Sequence, residues 1–111
     1  MDLLFVYGTL MDPETCRGLL GRAPQCEPAE LAGYERRKVR HASYPAIIAT
    51  AGATVRGLAL RGISKSELAA LDDYEGDEYE RIPVKTRVNG VDEKAWAYVW
   101  TAGDDSLEPA G

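Results

Sequence analysis

The chain has 111 residues, 45% of them hydrophobic and 28% charged, and its 18 Asp and Glu outweigh 13 Lys and Arg for a formal charge of −5. This is the balance of one globular domain long enough to bury a core, and the acidic excess argues against broad capture of nucleic acid. No apolar run approaches the ~18 residues of a membrane span, the first residues lack a basic leader, and two cysteines without a secretion signal suggest reduced thiols and a cytoplasmic setting.

Leu3 to Tyr7 is an unbroken apolar run stopped by Gly8, which predicts a short buried strand. Asp12 then suits an N-cap, Pro13 the first helical position and Glu14 the positive end of the dipole, so a helix is expected from Pro13 to about Leu20, ended by Gly21. Glu30 to Val39 predicts one or two short strands broken near Gly33. Ala46–Ala49 after Tyr44-Pro45 predicts another, and Val55 to Arg61 alternates like a strand. Ser64-Lys-Ser-Glu67 is a capping box, with Ile63 and Leu68 placed as a hydrophobic staple, and Gly76 is a natural stop for the helix it opens. Ile82 to Val88 alternates with charged residues, Asn89-Gly90 is a hairpin turn, and Ala95 to Trp100 is the return strand. The domain is expected to span residues 1–100, with 101–111 a frayed tail. Many short strands with two short helices point to an α+β fold, a small mixed, barrel-like sheet flanked by the helices.

Six acids fall within residues 72–80, and most read as a solvated turn. Glu75 differs. On the helix opened at Ser64, positions 68, 71 and 75 share one stripe, and Leu68 and Leu71 mark that stripe as the apolar one. Glu75 also falls in the last turn, where the dipole disfavours negative charge. Burial acts in the same direction, so its pKa is expected to rise toward that of a general base at neutral pH. A helix that stopped earlier would instead release Glu75 into water. Tyr7-Gly8-Thr9-Leu10, between strand and helix, can offer free backbone amides to a carboxylate or oxyanion; the same glycine also fits a plain tight turn. It is no P-loop, since no Gly-Lys-Ser/Thr follows.

Tyr7-Gly-Thr-Leu10 joined to Leu71-Asp-Asp-Tyr-Glu75-Gly-Asp-Glu-Tyr79-Glu-Arg81 resembles the gamma-glutamylcyclotransferase family, in particular the branch with gamma-glutamylamine cyclotransferases. Tyr44-Pro45, Val55-Arg-Gly-Leu and Ala95-Trp-Ala-Tyr98-Val extend the resemblance over about residues 3–100. It implies a compact mixed barrel and a substrate whose own α-amine attacks its γ-carbonyl, giving 5-oxoproline and a free amine. Position 75 matches the family's catalytic glutamate, and Tyr7 to Leu10 match its substrate-binding loop. Such chemistry needs no cofactor, metal or protein nucleophile, and its partner is a small γ-glutamyl amine or peptide. A non-catalytic module binding a γ-glutamyl compound or another small metabolite is the alternative. Nothing in the sequence speaks to oligomeric state.

Tyr44, with Ser43, and Tyr79 are candidate pocket residues; Tyr79 could orient Glu75 or substrate, while Arg81 is better read as offsetting nearby carboxylates. Trp96, Tyr98 and Trp100 share one face of the last strand, as core or pocket wall. Cys16 is expected as a small buried hydrophobe. Arg36-Arg37-Lys38, with Arg40 and His41, reads as a wet strand edge rather than a nucleic-acid patch. The acidic turn 72–80 lacks the calcium-loop pattern.

Overall fold

A computed structural model describes residues 2–109. Strands β1 (Asp2–Val6), β2 (Cys26–Lys38), β3 (Pro45–Ile63), β4 (Tyr79–Val88) and β5 (Val91–Trp100) close into a barrel in the order β1-β3-β2-β4-β5. Helix α1 (Pro13–Leu20) lies between β1 and β2, and α2 (Lys65–Glu75) between β3 and β4. Every strand pair is antiparallel except β1 with β5, which runs parallel through Leu4 opposite Trp96. The architecture is α+β with a mixed, closed sheet.

The apolar run of β1 is explained by burial on both faces. Leu3, Phe5 and Tyr7 join Leu31, Ile47, Val55 and Val88 in the barrel interior. Leu4 and Val6 point the other way, under Cys16 of α1 and Leu68 and Leu71 of α2. A strand covered by barrel on one side and helices on the other has no wet face to alternate for.

Local signals set the helix limits. Asp12 accepts from the Glu14 amide at 3.3 Å, and Gly21 ends α1 at φ 76°. At α2, Ser64 and Glu67 form the reciprocal capping box, and Ile63 and Leu68 are both buried beneath it. Asn89 and Gly90 both adopt positive φ, 52° and 79°, as a two-residue turn matched to strand twist requires.

Two expectations change. The strands read at Ala46–Ala49 and Val55–Arg61 are one strand, β3. Residues 49–54 bury nothing, so side-chain pattern is silent there, yet the backbone stays in the sheet. The expected break survives as an irregularity: Ala32 pairs with Thr54 and Tyr34 with Ala49, with Gly33 between them at φ 85°. The stretch from Thr101, expected to fray, is docked as far as it is described. Leu107 is buried with Val39, Ala46 and Trp100, and bridges Val39. The Glu108 amide donates to the Lys38 carbonyl and the Arg40 amide to that of Ser106, both at 2.8 Å. One buried apolar residue and backbone bonds on either side of it anchor an otherwise polar segment. Residues 110 and 111 of that expected tail lie outside the described residues.

Two members of the basic run serve this docking. Lys38 pairs with Glu108, and the Arg40 guanidinium donates to the Asp105 carbonyl. Arg37 pairs with Glu35 and Arg36 donates to the Arg56 carbonyl. His41 is exposed but sits in the β2–β3 turn at φ 60°, not on the strand. Among the described residues, no helix is long and apolar enough to cross a membrane.

Candidate active site

A cavity of about 360 Å³ opens where β1 ends, with walls from the β2–β3 turn, the end of α2 and the start of β4. That volume is in the usual range for a small-molecule site. Tyr7, Gly8, Thr9, Leu10, Tyr44, Glu75 and Tyr79 all line it, so the loop, the carboxylate and both pocket tyrosines read from the sequence share one space. Ser43, Tyr74, Glu78 and Tyr98 complete the polar part of the wall, over a floor of Phe5 and Val6.

Glu75 is half-buried at the C-terminal end of α2, one turn beyond the buried Leu71. Among the described residues no salt bridge or hydrogen bond reaches its carboxylate, so burial acts unopposed and pushes its pKa from 4.5 up to about 7. A group at that value is deprotonated often enough to accept a proton and acidic enough to return it.

The loop is held tightly. A Cβ on Gly8 would lie 2.9 Å from the Pro45 ring, so this position admits only glycine without displacement. The Cys16 thiol, buried on α1, donates to the Leu10 carbonyl at 3.3 Å. Thr9 stays exposed, its hydroxyl 3.1 Å from that of Tyr74 across the opening. The amides of Gly8, Thr9 and Leu10 have no backbone acceptor among the described residues.

Behind the pocket runs a chain of bonds that orients α2. The Tyr7 hydroxyl donates to the Tyr98 carbonyl at 2.6 Å, and the Tyr98 hydroxyl donates to Asp72 at 2.7 Å. Arg81 clasps the same carboxylate through two nitrogens, at 2.8 and 3.2 Å, while stacking on Trp96 at 4.4 Å. Arg81 is therefore structural, and it holds Asp72 below the usual carboxylate range. The clamp on Asp72 ties the last turns of α2, from which Glu75 projects, to β4 and β5. Burial first, then the negative charge of nearby groups including Glu75, raises the hydroxyls of Tyr7 and Tyr79, which stay neutral. The Tyr79 hydroxyl donates to the Pro45 carbonyl at 2.8 Å rather than to Glu75, and its ring meets Trp100 edge-on. Asp72, Tyr74 and Glu78 carried no separate signal in the sequence, being acids and an aromatic in a stretch that reads as solvated. Among the described residues, no three His, Cys, Asp or Glu side chains converge as a metal site.

Fold and site together define a small barrel domain with a pocket at the end of its first strand that holds one half-buried carboxylate, Glu75. Residues 4–110 match the family described as gamma-glutamyl cyclotransferase, AIG2-like. The chain is 38% identical over 104 residues to AIG2-like protein C of Arabidopsis thaliana, covering 92% of this chain and 60% of that protein. A solution structure of an Arabidopsis thaliana protein superposes with a TM-score of 0.87 at 32% identity, over 98% of this chain and 76% of that one. A structure described as gamma-glutamyl cyclotransferase shares the fold at a TM-score of 0.74 and 20% identity, over 96% of this chain and 68% of that one. The chain belongs to the AIG2-like gamma-glutamyl cyclotransferase family.

Proposed function

We propose that this chain is a cyclotransferase acting on a γ-glutamyl amine or peptide, with Glu75 as its proton shuttle. The observation that carries the reading is a half-buried carboxylate raised to about 7, lining the same cavity as the Tyr7–Leu10 loop. The glutamyl α-carboxylate is placed at the loop amides and the α-amine beside Glu75. The α-ammonium first releases one proton to solvent, and as the resulting amine attacks the γ-carbonyl carbon it passes a second proton to Glu75. The new C–N bond closes a five-membered lactam, the bond to the leaving nitrogen breaks, and Glu75 returns the proton to that nitrogen. The products are 5-oxoproline and a free amine. Because nucleophile and electrophile belong to one molecule, most of the acceleration comes from holding them in reacting geometry, an effect worth up to ~7–11 kcal/mol.

A panel of γ-glutamyl amides and peptides, with 5-oxoproline followed by mass spectrometry, tests this. Release by the wild-type chain and its loss by ~10²–10⁴-fold in Glu75→Gln is the expected result. Turnover surviving that change removes Glu75 from the role. Saturable binding of the panel with no product identifies a binding module instead.

A further inference from the structure

The cavity is graded from floor to rim. Phe5, Val6 and Tyr98 are buried at its base, Glu75 is half-buried, and Thr9, Tyr44, Tyr74 and Glu78 are exposed at its mouth. If the reacting amine sits at Glu75 and the glutamyl head at the loop, the leaving group must extend to the mouth. The mouth therefore sets which leaving group is accepted.

Its chemistry has one sign. Among the described residues lining the cavity none is Lys, Arg or His, and the acid at the rim is Glu78. Tyr44 and Tyr74 are 38% and 44% exposed, large rings left open to solvent beside it. Tyr74 is pinned there by its contact with Thr9, so its face is presented without further ordering. The negative end of α2 points at the same rim, with no basic residue in its last turn. Arg81 and Arg36, whose charges act on the wall residues Tyr98 and Tyr7, are engaged elsewhere, Arg81 with Asp72 and Trp96 and Arg36 with the Arg56 carbonyl.

We propose that the leaving amine carries a second positive charge, recognised at the cavity rim by Glu78 and the rings of Tyr44 and Tyr74. The inference rests on the cyclotransferase reading of this site. A cation there gains a carboxylate and aromatic faces. A leaving group ending in a carboxylate, as in a γ-glutamyl peptide, meets Glu78 with no counter-charge and is disfavoured.

Three conjugates of nearly equal length separate charge from shape: the γ-glutamyl amides of 1,4-diaminobutane, pentylamine and 4-aminobutyrate, which end in an ammonium, a methyl and a carboxylate. The expected order of kcat/KM is ammonium, methyl, carboxylate, with about tenfold between the extremes at low salt. The gap narrows as ionic strength rises. Glu78→Gln reduces the ammonium-to-carboxylate ratio by about threefold. A carboxylate conjugate turned over as fast as the ammonium one, or a ratio that Glu78→Gln leaves unchanged, overturns the proposal. If no conjugate is turned over, the cyclotransferase reading fails on its own. Calorimetric Kd values for the same three conjugates, on wild type and Glu78→Gln, then apply the same two criteria to the rim, and absence of binding rejects both.

Discussion

Glu75 is costly where it stands. Its carboxyl rises to about 7 because burial penalises the charge and no partner compensates. Between the ordinary carboxylate range and about pH 7, the folded protein holds a proton that the unfolded chain has released. That contribution to stability is present at acid pH and is lost as pH rises through 7. Glu75→Gln removes the penalty, so at pH 8 it should raise stability by about 1–2 kcal/mol after allowance for solvent screening, measurable by urea unfolding, while lowering activity. A variant that gains stability as it loses turnover is the mark of a group placed for chemistry. On the proposed cyclotransferase function, the same ionisation gives the acid limb of kcat/KM, which should bend near pH 7 in the free protein. A bound substrate ammonium draws the carboxyl down, so the limb of kcat should lie at lower pH; two limbs at one pH would separate Glu75 from the reacting amine.

At the level of elements, two glycines show how closely strand and loop are fitted. A Cβ on Gly57 in β3 would lie 2.1 Å from the Val6 carbonyl of β1, against rigid backbone. Gly57→Ala should cost about 2–3 kcal/mol in chemical denaturation through displacement of β1. Gly8 presses on a proline ring that can shift slightly. Gly8→Ala should therefore cost less stability than Gly57→Ala and act mainly on KM, read by steady-state kinetics with a turned-over conjugate. The capping box, the helix limits and the Asn89-Gly90 turn were legible in the sequence because each is a local arrangement of a few neighbouring residues. The continuity of β3 was not, because residues 49–54 bury no side chain and are tied to the sheet at their ends by Tyr34 and Ala32 of β2. For the same reason Glu75 stood out, breaking a helical stripe, while Glu78 and Tyr74 gained meaning only beside Thr9 and Tyr44.

At the scale of the molecule, three apolar clusters among the described residues divide the work: the barrel interior, the layer under the helices and a cap around Leu107. The cap includes Ala46 and Trp100, and Tyr79 packs on it, so it adjoins the pocket wall. Leu107→Ala should lose about 2–3 kcal/mol by chemical denaturation; a loss near zero would return this stretch to the status of a loose end. Strand order could not be read from the chain, since closure depends on pairing between its two extremes. β1 meets β5 in parallel, and the bond from Tyr7 to Tyr98 spans 91 positions. That closure has a consequence during synthesis. A nascent chain lacking β5 has neither a closed barrel nor the back wall of its pocket, and it presents one ladder edge of the most apolar strand to its surroundings. Completion of the pocket and cover for the β1 edge thus arrive together, once β5 has left the ribosome and docked.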